Sequence, residues 1–292
     1  MADAVWTIQR LLAWTTDFFR ERGIESPRLD AEVLLSALLG RDRMYLYVHF
    51  DEPLEPEELA QFRSYVKERA AHMPLAYVLG RREFMGLDFR VTRDTLIPRP
   101  DTEILVQCAV DFLCARMEAG MDELCVADIG TGTGAIALST LRYTEGTRAD
   151  AVDISPAAAA VARENAEILG LTERIDIHVG DLLAPLAGRA YDMILSNPPY
   201  IPSADIADLM PEVRSYEPHL ALDGGADGLD IYRRLTADAP ALLKEGGAIA
   251  VEVGINEAAA VAALMEEHTR IVRTETMKDL GGIDRVVVGY TV

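Results

Sequence analysis

From residue 101 onward the chain alternates short apolar runs with helical stretches. This alternation restricts the fold more than any other feature of the sequence. Candidate strands lie at 124–129, 149–154, 175–179, 191–196, 248–253, 270–276 and 284–292. Between them lie helical patterns at 101–118, 135–141, 228–243 and 257–268, and an alanine-rich helix opened by Ser155 and Pro156 and closed by Gly170. Ser155 suits an N-cap and Pro156 the first turn. Strands that alternate with helices form right-handed crossover units. The expected fold class is therefore α/β, a doubly wound and mostly parallel sheet of seven strands.

The region before this has another texture. Trp6, Leu11, Trp14 and Phe18 recur at spacings near three and four within 5–22, which places them on one helix face. Further helices are expected at 29–39 and 56–71, with Glu57 and Glu58 in the first turn after Pro56. Residues 83–91 alternate apolar and polar around Gly86, as a short hairpin does. Leu96-Ile97-Pro98-Arg99-Pro100 reads as extended, because each proline disfavours a helical predecessor. The expected domains are a helical module over 1–73, a hairpin linker over 74–98 and a sheet domain over 99–292.

Lys and Arg number 28 against 48 Asp and Glu, a formal net charge of −20. That balance opposes stable nucleic-acid binding, which relies on clustered cations against phosphates. One local exception stands out. Between Arg81 and Arg99, five arginines face Glu83, Asp88 and Asp94. The spacings of Cys108, Cys114 and Cys125 suit neither a disulfide framework nor a zinc site. The histidines are scattered, and no metal is expected. Asp3 precedes any basic residue and no apolar signal core follows it. No run of about 18 apolar residues is present. A reduced, cytoplasmic setting without membrane insertion is the expectation.

Three constellations carry chemistry. Asp128-Ile129-Gly130-Thr131-Gly132-Thr133-Gly134-Ala135 sits where a strand hands over to a helix. Glycines there permit a tight turn and close approach of a ligand; the plain alternative is a turn without one. Asp153 ends the next strand, where an acid accepts hydrogen bonds from ribose hydroxyls; alternatively it competes with Ser155 as a cap. Together they point to an adenosine-containing cofactor without saying which. Asn197-Pro198-Pro199-Tyr200 follows the strand at 191–196. Ligands in open α/β sheets bind beyond the carboxyl ends of strands, so this tetrapeptide is expected beside the glycine turn. Its prolines lack N–H donors, leaving carbonyls and the Asn197 amide to meet a planar NH2 group.

These features resemble class I, Rossmann-like methyltransferases that use S-adenosylmethionine and act on amide or amino nitrogen. The resemblance narrows with Pro74-Leu75-Ala76-Tyr77-Val78-Leu79-Gly80, Glu83-Phe84-Met85-Gly86-Leu87, Leu96-Ile97-Pro98-Arg99-Pro100-Asp101-Thr102-Glu103, Glu217-Pro218, Gly224-Gly225-Ala226-Asp227-Gly228 and Gly282-Ile283-Asp284-Arg285, all in order. Together these resemble the PrmC/HemK family, the release factor glutamine methyltransferases. The likeness runs from about Pro74 to the C-terminus; the helical module matches in size and type. It implies methylation of the side-chain amide nitrogen (N5) of the glutamine in the Gly-Gly-Gln loop of peptide chain release factors, with S-adenosylhomocysteine as product. It assigns cofactor contacts to Gly130, Thr131, Gly132, Thr133, Gly134, Asp153, Leu182 and Asn197. The amide would meet Asn197, Pro198, Pro199 and Tyr200, with Asn197, Pro198 and Tyr200 catalytic. Arg99 and Pro100 would wall the site, and the module over 1–73 would recognise substrate. One departure is visible: Glu257 stands where the family usually has Gln.

Three other readings compete. An adenine-N6 methyltransferase on DNA or RNA could use the same tetrapeptide with the base flipped out, but the net charge opposes it. A dinucleotide-dependent oxidoreductase fits Gly130, Gly132 and Ala135, yet leaves Asn197–Tyr200 without a role. A binding module on translation factors would bind without methyl transfer.

Overall fold

The computed structural model describes residues 5–292. Asp3, on which the reading of the N-terminus leaned, lies outside the described residues. The chain divides into two units. One comprises the stretch through Gly80 together with Met210–Tyr216; the other comprises Arg81–Leu209 and Glu217–Val292.

The first unit is helical: α1 (Ile8–Arg20), α2 (Pro27–Leu39), α3 (Arg43–Val48), α4 (Pro56–Ala70) and α5 (Leu75–Leu79), with the short helix Pro211–Tyr216 added from far along the chain. Thr7 caps α1 through a hydrogen bond from the Arg10 amide. Glu55 and Glu58 form a reciprocal capping box at the start of α4. Ile8, Leu12, Phe19, Leu34, Leu35 and Phe62 pack into one core. Arg69 of α4 is buried and bonds Asp30 Oδ2 at 2.6 Å and Glu212 Oε1 at 2.6 Å. The helical module therefore extends past residue 73. Val78 of α5 belongs to the same core, and segment Met210–Tyr216, unassigned in the sequence, joins the same unit.

The second unit opens with the expected hairpin, β1 (Arg81–Phe84) and β2 (Leu87–Arg90), paired antiparallel. It belongs to the sheet unit rather than standing as a linker, because Phe84 and Phe89 are fully buried in that unit's core. There follow α6 (Glu103–Glu118), β3 (Cys125–Ile129), α7 (Ala135–Tyr143), β4 (Arg148–Asp153), α8 (Pro156–Ile168), β5 (Ile175–Val179) and β6 (Tyr191–Ser196). The helix at Pro211–Tyr216 is α9; then come α10 (Asp230–Asp238), β7 (Leu243–Glu252), α11 (Ala258–Glu266), β8 (Ile271–Lys278) and β9 (Asp284–Thr291). The helix expected over 228–243 is shorter than its pattern, because Pro240 lies in the 3-10 turn that ends it and β7 already begins at Leu243.

The sheet has seven strands in the order β5-β4-β3-β6-β7-β9-β8, and β9 runs antiparallel to both its neighbours. Alternate residues feed alternate faces. Val126, Met193, Leu195, Ala248 and Ala250 pack with residues of α6 and α7. Ala127, Ile129, Ile194, Ile249 and Val251 pack with Tyr232 and Leu235 of α10 and Val261 of α11. Helices thus cover both faces, as a doubly wound sheet requires. The order reverses between β3 and β6. At that switch point the turns that follow the two strands stand side by side. Among the described residues, no helix is long and apolar enough to cross a membrane.

The arginine-rich stretch is answered by acids remote in sequence. Arg90 pairs with Glu164 at 3.1 Å and Arg99 with Glu217 at 2.5 Å. The local positive excess is largely absorbed inside its own unit.

Candidate active site

Four strand ends build the site. After β3 the chain turns through Gly130 and Gly132, both left-handed at φ +75° and +57°. The amides of Gly130 and Thr131 bond the Val152 carbonyl at 2.8 and 3.0 Å, which ties the turn to β4. A Cβ on Gly132 would meet nothing within 4 Å, and one on Gly130 only the Asn197 carbonyl oxygen at 4.0 Å. The turn is therefore bare on the side that faces the cavity.

Asp128 braces this turn from below. It is fully buried; its Oδ2 accepts from the Thr131 hydroxyl at 2.6 Å and from the Ala137 amide at 3.2 Å. Burial pushes its carboxyl up to about 6, against those two hydrogen bonds. The Thr131 hydroxyl is thus committed within the protein. The Thr133 side chain is buried and its carbonyl accepts from Asn165 Nδ2 at 2.9 Å.

Asp153 is the last residue of β4. One carboxylate oxygen accepts from the Gly132 amide and the other from the Ser155 amide, each at 2.8 Å. Burial raises its pKa, and those two bonds oppose the rise. A carboxylate has about four acceptor sites, so lone pairs remain for a ligand's hydroxyls. Leu182, after β5, is held in left-handed backbone at φ +48°.

After β6, the Ser196 hydroxyl donates to the Ile129 carbonyl at 2.6 Å, tying the fourth corner to the first. Asn197 follows, and its Nδ2 donates to Thr102 Oγ1 at 3.2 Å. Thr102 ends a 3-10 turn, Pro100–Thr102, that leads into α6. Tyr200 packs on the apolar layer shared with α10 and α11, and burial pushes its hydroxyl up to about 12.

A cavity of about 530 Å³ lies among these turns, lined by Gly130, Thr131, Gly132, Thr133, Asp153, Leu182, Asn197, Pro199 and Arg99. Arg93, Leu96, His219 and Arg234 also line it. Arg99 bonds buried Glu217, whose other oxygen takes the Ile97 amide at 3.3 Å. The sequence reading gave no role to Asp128, Thr102 or Glu252. Two of them carried a signal: Asp128 and Glu252 are the single acids in the apolar runs 124–129 and 248–253.

Two family models match the chain, the PrmC N-terminal domain over residues 10–80 and the methyltransferase small domain over residues 106–211. A release factor glutamine methyltransferase of Geobacter sulfurreducens is 46% identical over 285 residues, 98% of this chain and 97% of that protein. The chain belongs to the release factor glutamine methyltransferase family. A second member, from Moorella thermoacetica, is 44% identical over 92% of this chain and 93% of its own length. A solved N-terminal domain of human METTL16 in complex with SAH shares the fold, with a TM-score of 0.52 at 20% identity over 76% of this chain and 82% of that one.

Glu257, where the resemblance led to an expectation of Gln, places Oε2 2.9 Å from the Gly254 amide and accepts its hydrogen bond. Gln has an oxygen that could accept the same bond. Burial raises the Glu257 carboxyl, and the Gly254 bond opposes that.

Proposed function

We propose that this chain transfers the methyl group of S-adenosylmethionine to the side-chain amide nitrogen (N5) of the glutamine in the Gly-Gly-Gln loop of peptide chain release factors. The observation that carries this reading is the placement of the Asn197–Tyr200 turn against the bare glycine turn, with the Asn197 carbonyl 4.0 Å from where a Gly130 Cβ would stand. Membership in the family supports the same substrate.

The donor set fits the cofactor. Asp153 has free lone pairs for the ribose hydroxyls, the bare face of Gly130 and Gly132 admits the amino-acid end, and Leu182 offers apolar contact for the adenine. When bound, S-adenosylmethionine supplies an electrophilic methyl group on a sulfonium centre. The residues of the chain handle the nucleophile. An amide nitrogen is weakly nucleophilic because its lone pair is delocalised into the carbonyl. Asn197 Oδ1 and the Pro198 carbonyl accept its two N–H bonds. They aim the nitrogen and stabilise the positive charge that grows on it. Pro199 and Tyr200 stiffen that turn, and Arg99 with Pro98 forms the facing wall, whereas the expected Pro100 is exposed and does not line the cavity. Most of the remaining rate gain is positional. The helical unit takes up the rest of the release factor.

The test incubates the protein with a purified release factor and S-adenosylmethionine, then maps peptides by mass. One added methylene on the Gly-Gly-Gln glutamine is expected. Methylation elsewhere, or transfer to adenine in an oligonucleotide instead, overturns the reading.

A further inference from the structure

Glu252 ends β7 with 2% of its surface exposed, on the sheet face that meets the start of α6. It is an acid buried beside the Asn197 turn. The side chains of Thr102 and Asn197 stand beside its carboxyl and act as donors that favour its charged form. Its Oε2 has no hydrogen-bond partner among the described residues. Asn197 Nδ2 also donates to Thr102 Oγ1. The Asn197 NH2 thus has one bonded acceptor, Thr102 Oγ1, and the Glu252 carboxyl beside it on the protein side.

An ionised carboxylate can only accept. Asn197 must then turn its NH2 toward Glu252 and Thr102, and its Oδ1 is left for the cavity. An amide rotated by half a turn would present N–H groups to the substrate amide, which is also a donor there. We propose that Thr102 and Glu252 are positioning residues that fix the rotamer of Asn197 so that its oxygen faces the glutamine amide. This rests on the role given to Asn197 above.

The neighbours of Glu252 do not relieve its burial. Arg285 of β9 is engaged by Asp101 and Asp279, each at 2.9 Å. Asp101 itself adds negative charge, and the hydroxyls of Tyr200 and Tyr232 also face the carboxyl. Tyr232 donates to the Glu252 backbone carbonyl at 2.7 Å rather than to the side chain. Burial, mainly, pushes the carboxyl up to about 7, with Thr102, Arg285 and Asn197 acting against it. Once protonated, Glu252 becomes a donor as well. Asn197 can then point its oxygen inward, so turnover is expected to fall as pH drops below about 7.

The test compares Glu252→Leu, Glu252→Gln, Thr102→Val and Asn197→Ala with a purified release factor as substrate. Glu252→Leu is expected to lower kcat about tenfold or more, since small misplacements at a reacting centre are costly. KM for S-adenosylmethionine should stay within about twofold, because no cofactor contact changes. Glu252→Gln cannot titrate and, like the protonated acid, can donate as well as accept, so it should show the slow low-pH turnover at every pH and abolish the acidic limb of the pH profile. Thr102→Val, nearly isosteric, tests the same network if Glu252→Leu fails to fold. The inference is overturned if folded Glu252→Leu and Thr102→Val turn over normally while Asn197→Ala is slow. It is equally overturned if Glu252→Gln leaves the acidic limb in place. A fast Asn197→Ala enzyme would instead overturn the role of Asn197 itself.

Discussion

Glu32 in α2 and Glu252 in β7 are equally hidden from solvent, at 1% and 2% exposure, yet they are held in opposite ways. Glu32 receives Arg28 at 2.5 Å, Arg43 at 2.8 Å and the Tyr47 hydroxyl at 2.7 Å. Burial raises its carboxyl, but Tyr47, Arg43 and Arg28 outweigh burial and the net shift is downward. Glu252 and Asp128 have hydrogen bonds but no cation of their own. They are pushed up to about 7 and about 6. A buried acid with a partner is a structural solution; one without a partner costs stability and persists where something else requires it. Among the described residues, the fully buried acids that no cation pairs stand under the glycine turn and the Asn197 turn.

The sharpest way to break this contrast is to give the helical unit an unpartnered acid. Arg69→Ala strands both Asp30 and Glu212, and breaking a buried pair in this way costs about 3–5 kcal/mol. Chemical denaturation should show the loss, and an unchanged midpoint would remove the distinction. In the sheet unit, Asn197→Ala should slow turnover about a hundredfold or more, about 2.7–4 kcal/mol of barrier, with cofactor affinity kept. Asp153→Ala should act on affinity instead. Losing hydrogen bonds to a charged group costs about 1.5–3 kcal/mol each, so calorimetry should find cofactor binding weakened at least tenfold.

The smallest expected effect is a change of slope. A raised acid keeps its proton in the folded protein after the unfolded chain has lost it. Between about pH 4.5 and 7, Glu252 therefore makes stability fall as pH rises. Glu32, lowered, contributes stability above its ordinary 4.5 that is lost on acidification. Glu252→Gln should flatten the first trend and Glu32→Gln the second, as read from melting temperatures across that range.

Much of the sheet unit was legible because each strand is short, apolar and bounded, and because Gly130–Gly134, Asp153 and Asn197 each close a strand. The hairpin was legible for the same reason, though not its membership in the core. Three short helices, α3, α5 and α9, escaped because five or six residues do not complete a periodic pattern. Pairings across long separations were also out of reach. Thr102 meets Asn197 across 95 residues, and Arg69 meets Glu212 across 143. Such contacts follow from topology, which local spacing does not encode.

That last pairing has a bearing on how the protein can be divided. The helical unit is discontinuous: its final helix is threaded in from the segment after the Asn197 turn. A fragment cut after Gly80 would retain Arg69 and Asp30 but lose Glu212 and the Tyr216 hydroxyl, which donates to the Ala71 carbonyl at 2.5 Å. Modules that are neighbours on the gene are thus not separable at a single junction. Any exchange of helical units between family members would have to transplant two pieces, the second a six-residue helix.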